Sequence, residues 1–260
     1  MFSSVDESVL FLLSLLALFM AMEVGFRLGR RHQPRSDDGW KSHTTALQAA
    51  LLGLLAFLLG FNFVMASSRF ESRKTLIQEE TNAIGTAWLR AQFLPTTHQG
   101  EISELLKRYL SARISYMRAG LDDSLIESAI DEASAVEAQI LKLTQTMVAD
   151  NSGGPQLSPF LQSFNDMINA RWKRRALLSN HVPEPVLNLL FIVAVGSFGF
   201  IGYGYGLTGR RRHISTAIFA TLIALVLITI LDFDRPRGGF IRVGDESMVR
   251  LQTSLEKYKQ

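Results

Sequence analysis

Hydrophobic and polar positions follow two different regimes along this chain. Long apolar runs occupy residues 8–26 ("SVLFLLSLLALFMAMEVGF"), 45–68, 186–207 and 214–231. Each is close to the twenty or so residues that a helix of about 1.5 Å rise needs to cross roughly 30 Å of hydrocarbon. None alternates strictly as a barrel strand does, so all are predicted to be transmembrane helices. A secretory signal is the competing reading of the first run. The residues before it, "MFSSVDE", are acidic, and no small-residue cleavage pattern follows, so it is expected to remain as a span.

Between the second and third runs the period changes. In "EISELLKRYLSARISYM", Ile102, Leu105, Leu106, Tyr109, Leu110 and Ile114 form one stripe, with Glu104, Lys107, Arg108 and Arg113 opposite. A second amphipathic helix is predicted after Gly120, with Leu125, Ile126, Ile130, Val136, Ile140 and Leu143 inside. Asp122, Asp123 and Ser124 stand at its start, where the helix dipole favours acids. "DNSGGPQLSP" interrupts, and residues 160–178 resume the pattern with Phe160, Leu161, Phe164, Ile168 and Trp172. The expected class is therefore all-α: a polytopic membrane protein with four transmembrane helices and a soluble helical bundle inserted between the second and third spans. The expected limits are 1–68 for the first two spans, 69–184 for the bundle, 185–232 for the last two spans, and 233–260 for a C-terminal tail.

From Thr45 to about Leu94 there is no proline, and Gly53, Gly60 and Gly85 are isolated. The second span is thus expected to run on into the bundle as one helix of roughly 50 residues, about 75 Å long. Below Ser68, the positions Leu76, Ile77, Ala83, Ile84, Ala87, Trp88 and Ala91 keep a helical spacing that gives it a face to pack. A continuous rod suits conduction through a long pore or transmission of a signal, with simple anchoring as the plainer alternative.

Composition agrees with this partition: 47% of the 260 residues are hydrophobic, yet 20% are charged. There is no cysteine, which excludes disulfides, thiolate metal sites and a thiol nucleophile. A formal net charge of +3, scattered along the chain, gives no basis for a nucleic-acid partner. The histidines at 32, 43, 98, 181 and 213 show no metal-ligand spacing, and there is no H-E-x-x-H, P-loop or nucleophile-elbow motif. No enzyme, metal or cofactor is expected. The acidic pairs Glu79/Glu80, Asp122/Asp123 and Asp131/Glu132 are assigned to solvated helix faces.

Several polar and small residues inside the spans qualify that picture. Gln48 and Asn62 lie fourteen residues apart, about 40° from one another on a helical wheel; they either line one wet pathway or bond between helices. Glu23, Asp232 and Asp234 are read first as interface ion pairs with "RLGRR" or "RPR". In "GSFGFIGYGYG", Gly202 and Gly206 form a small-xxx-small pair suited to close helix packing, and nothing around them supports a potassium filter. Phe57 and Phe61, at i and i+4, share a face that either packs on lipid or neighbours, or forms a dry constriction when several subunits meet.

The stretch "LLGFNFVMASSRFESRK" resembles the end of the second membrane helix of bestrophins, through Gly60, Phe61, Arg69, Phe70, Glu71, Arg73 and Lys74. "EETNAIGTAWLRAQFLP" and "LDFDRPRGGFIRV" resemble a bacterial bestrophin-like family of largely unassigned function, and the order of spans agrees. The resemblance implies a homo-oligomeric ion channel, a pentamer, in the cell (inner) membrane, whose partners are other copies of itself, lipid and inorganic ions. Its second helix would line the pore and form an apolar neck, with Phe61 a neck residue, Phe57 one turn before it, and Gly53 where the family usually carries another bulky apolar group. That glycine departs from a three-ring neck. "DFDRPRGG" does not reproduce the acidic calcium clasp of animal members. The alternative reading is a non-conducting membrane sensor or scaffold whose long helix couples the bundle to the membrane.

Two arguments on orientation oppose each other. The short loops 27–43 and 209–213 carry five and three Lys/Arg, which by the positive-inside rule slightly favours a bundle outside the cell. The bestrophin resemblance favours a cytoplasmic bundle.

Overall fold

The structure, a computed structural model, describes residues 7–178, 182–209, 211, 213–235, 238–239 and 241–258. The helices are α1 (Glu7–His32), α2 (Asp38–Ala91), α3 (Thr96–Arg118), α4 (Asp123–Ala149), α5 (Leu157–Leu178), α6 (Glu184–Thr208), α7 (His213–Asp234) and α8 (Glu246–Lys257). A 3₁₀ turn, Gln33–Arg35, follows α1, and there is no strand among the described residues. The chain divides into two compact units, one within 1–69, 181–235 and 239–241, the other within 70–180, 236–238 and 242–260.

The first unit contains α1, the first part of α2, α6 and α7, and these four helices are long and apolar enough to cross a membrane. Leu18, Leu55, Leu59, Leu190, Phe198, Ala224 and Ile230 bring all four into one buried cluster, and the Phe198 and Phe219 rings stack with centroids 5.4 Å apart. Outward positions such as Leu12, Leu16, Ile192 and Leu222 are equally apolar and exposed, a surface that matches hydrocarbon and not water. The α1–α6 contact depends on the absence of side chains. A β-carbon on Gly25 would overlap the Gly199 carbonyl, one on Gly202 the Met22 carbonyl, and one on Gly206 the Phe26 carbonyl.

Helix α2 has 54 residues, about 81 Å at standard rise. It begins at Asp38, earlier than the apolar run suggests, because the Asp37 carboxylate accepts from the Trp40 amide at 2.7 Å. It ends where Gln92, Phe93 and Leu94 close short turns onto Leu89, Arg90 and Ala91. Pro95 lies just beyond and has no amide to donate to a continued helix.

The second unit packs the rest of α2 with α3, α4, α5 and α8 around Ile84, Trp88, Tyr109, Ile140, Phe160 and Phe164. Asp122 caps α4, its Oδ1 accepting from Ser124 N at 3.0 Å and Leu125 N at 3.2 Å. The bond from the Ser124 hydroxyl, with those from the backbone, holds its carboxyl below the usual carboxylate value.

Some expectations are corrected here. The segment read as a tail forms α8, with Met248 and Leu255 buried in the second unit's core. Glu80, assigned to a solvated face, has no exposed surface, and Arg113, assigned to the polar side of α3, is only 3% exposed. Glu80 accepts from Arg113 Nε at 2.5 Å and from Arg174 Nη1 at 2.6 Å, which makes burial of the charges tenable. The start of α4 turns Leu125 outward, whereas Val136 and Ile140 are buried as expected and Ala129 and Ala133 join them on the buried face. Trp172 is also exposed, with the Arg171 and Arg175 guanidiniums 5.3 and 5.7 Å from its ring centre.

Candidate functional site

The first part of α2 has two contrasting faces. Leu55, Leu59, Asn62 and Ala66 are buried within the first unit. Gly53, Phe57, Gly60, Phe61 and Val64 are exposed, and at 100° per residue they fall within a sector of roughly 100°. Phe57 is 68% and Phe61 57% exposed. A β-carbon added to Gly53 or Gly60 would meet nothing within 4 Å. Glycine inside a helix is less favourable than alanine by about 0.5–1 kcal/mol, so contacts among the described residues give no reason for glycine at either position.

Gln48 and Asn62 are held by their own chain. Gln48 Nε2 donates to the Phe200 carbonyl of α6 at 2.7 Å, and Gly204 leaves room for that amide. A polar cavity of about 640 Å³, with Lys41, Thr44, Tyr205 and Thr208 among its walls, adjoins Gln48. Asn62 is 0% exposed, and its Nδ2 donates to the Leu58 carbonyl of its own helix at 2.8 Å. The Asn62 Oδ1 is buried without a hydrogen-bond partner among the described residues. Asn62 is turned roughly 180° from Gly53 on the helix, away from the exposed stripe.

The acids at the span ends differ in their partners. Glu23 pairs with Arg27 at 2.9 Å and Arg211 at 3.4 Å. Asp232 Oδ2 accepts from the Ile241 amide at 2.9 Å, and Asp234 Oδ1 accepts from the Val182 amide at 2.8 Å. Both aspartates thus secure backbone in the first unit. No group of three or more His, Cys, Asp or Glu suited to a metal ion occurs among the described residues. Gly60 and Val64 were not singled out by sequence reasoning as members of the exposed stripe, although their i+3 and i+7 spacing from Phe57 carries the signal.

The fold and the outward face of α2 define an all-helical membrane protein. Residues 13–248 match the family described as Bestrophin-like domain, and the chain belongs to that family. Among solved structures it is similar to a bacterial bestrophin homologue from Klebsiella pneumoniae, with a TM-score of 0.68, 14% identity, and 97% of this chain and 98% of that chain covered. A point variant of the Klebsiella protein gives 0.65 at 12% identity, covering 93% and 97%. A second variant gives 0.62 at 13% identity, covering 98% and 99%. A search of curated proteins returns no match.

Proposed function

We propose that this protein is a homo-oligomeric ion channel, a pentamer by family resemblance, with the second span of each copy facing a central pathway. The uncovered stripe on α2 carries the reading: two large rings, Phe57 and Phe61, alternate with Gly53 and Gly60, which nothing among the described residues covers. Neighbouring copies give these features a purpose. The rings from several subunits form a dry constriction that gates by dewetting, and the glycines leave the backbone free to approach water or a neighbouring helix. Gly53 makes this neck a two-ring one.

In this reading the second unit is a soluble bundle that shares the unbroken α2 with the spans, and the protein is a multi-pass protein of the inner membrane. Gln48 and Asn62 serve helix packing, and the ions meet Phe57 and Phe61 first. The non-conducting sensor or scaffold retains one supporting observation, the continuity of α2 from Asp38 to Ala91.

Mass measurement in detergent and planar-bilayer recording of wild type and Phe61→Ala test the proposal together. A closed oligomer is expected, with larger conductance and weaker ion discrimination in Phe61→Ala. A monomer at all concentrations, or silence in both proteins, overturns the channel and leaves the sensor reading.

A further inference from the structure

We infer that the second unit holds a binding site for a chloride-sized monovalent anion, in the arginine cleft between α3 and α5. The cleft is lined by Arg113, Arg171, Arg174 and Arg175 together with Tyr116, Trp172 and Ile130 of α4, and no acidic residue is among them. Its volume of about 20 Å³ exceeds what one water requires, so one small ion fits within it. The occupant indicated is a single small ion.

Charge accounting makes that occupant an anion. Behind the cleft, Glu80 is shared by Arg113 and Arg174, so one carboxylate faces two guanidiniums that are almost fully buried. Glu137 engages Arg171 at 2.8 Å. Arg175 has no carboxylate partner among the described residues; its only contact of note is with the Trp172 ring. Four cations against two carboxylates leave two positive charges in excess, one of them away from water. Burial, which the attraction of Glu80 does not fully offset, holds the Arg174 guanidinium below its ordinary value.

The rings complete the site without neutralising it. Tyr116 lies 4.6 Å from the Arg113 guanidinium and 5.2 Å from that of Arg174, and Trp172 holds Arg171 and Arg175 in the same way. Aromatic faces orient guanidinium planes through cation–π attraction while supplying no counter-charge. A small anion supplies it and joins α3 to α5 through charge-assisted hydrogen bonds.

The test uses the full chain in detergent, unfolded thermally in sodium chloride, sodium bromide or sodium gluconate at one fixed ionic strength. Chloride and bromide should raise the unfolding temperature by a few degrees and saturate, whereas gluconate, too large for the cleft, should not. Arg175→Gln removes an exposed side chain that carries no ion pair among the described residues. It should leave the unfolding temperature in gluconate unchanged and raise the half-saturating chloride concentration roughly three- to tenfold. Bromide soaked into crystals should give anomalous density between Arg174 and Arg175. Equal unfolding temperatures in all three salts, or a chloride effect that Arg175→Gln leaves intact, overturn the site. The outcome is independent of conduction, so a silent protein that still responds to chloride retains this site while losing the channel reading.

Discussion

Glu80 of α2 and Arg174 of α5 meet at 2.6 Å, both withdrawn from solvent although ninety-four residues separate them in sequence. The same carboxylate bonds Arg113 of α3, so a single acid ties three helices of the second unit. Removing it strands two buried guanidiniums, and breaking a buried pair on one side costs about 3–5 kcal/mol. Glu80→Gln should therefore lower the thermal stability of the protein sharply, with hydrogen exchange accelerated in α3 and α5. Unchanged exchange there would show that water compensates the arginines.

Glycine substitutions separate packing inside the chain from packing outside it. Gly202→Val places a side chain where the Met22 carbonyl stands, so α1 and α6 must part; the protein should misassemble or aggregate in detergent. Gly53→Ala meets nothing within 4 Å and exchanges glycine for a better helix former, a gain of up to about 1 kcal/mol. Its monomer should fold at least as well as wild type. If Gly53→Ala nonetheless shifts the oligomer population in mass measurement, the contact it disturbs belongs to a neighbouring copy.

Local signals were legible in the sequence where one residue's neighbours along the chain decide its fate. Hydropathy placed the four spans, the absence of proline from Thr45 to Leu94 made α2 continuous, and Asp122 and Asp123 marked the start of α4. Gly202 and Gly206 were readable as a packing pair; Gly25 and Gly29, which pack from the α1 side, share the same i, i+4 spacing and went unnoticed. Glu80 was misread because its burial depends on Arg113 and Arg174, which arrive from distant helices and leave no mark on its own helical wheel. α8 was missed for a related reason. It has few apolar residues, and Met248 and Leu255 declare a buried face only once α3 and the lower part of α2 are beside them.

That last helix carries its own expectation. Met248 is fully buried, and truncating a buried methionine to alanine costs about 2–5 kcal/mol. Met248→Ala should loosen α8 from the second unit, which limited proteolysis would register as early cleavage after residue 245. Resistance equal to wild type would mean that the Arg118–Asp245 pair and the Gln252–Ser111 bond hold the helix by themselves.

Acid sensitivity at the α4 cap has a definite sign. The Asp122 carboxyl lies below its ordinary value of 3.8 because Ser124 and backbone amides bond its charged form. The cap's contribution is therefore fully present above that ordinary value and is lost as pH falls through the depressed one. Asp122→Asn keeps an acceptor without a titrating group, so its unfolding temperature should fall less than that of wild type between neutral pH and about pH 2. Parallel curves for the two proteins would remove the cap from the acid response.

Asn62 and Phe61 are adjacent in sequence and face different surroundings, which gives the sharpest test of where ions pass. Phe61 is exposed on the outward stripe, so Phe61→Ala should leave the unfolding temperature nearly unchanged while altering conductance. Asn62→Ala removes an amide whose oxygen lacks a partner, and eliminating an unsatisfied buried acceptor offsets much of the lost side-chain hydrogen bond. Its stability should move by no more than about 1 kcal/mol, and its conductance and ion preference should match wild type. The two measurements together assign the pathway to one side of α2. Should Asn62→Ala change ion preference while Phe61→Ala does not, the conducting surface is the face built around Asn62, and the exposed phenylalanines belong to lipid or to the seam between subunits.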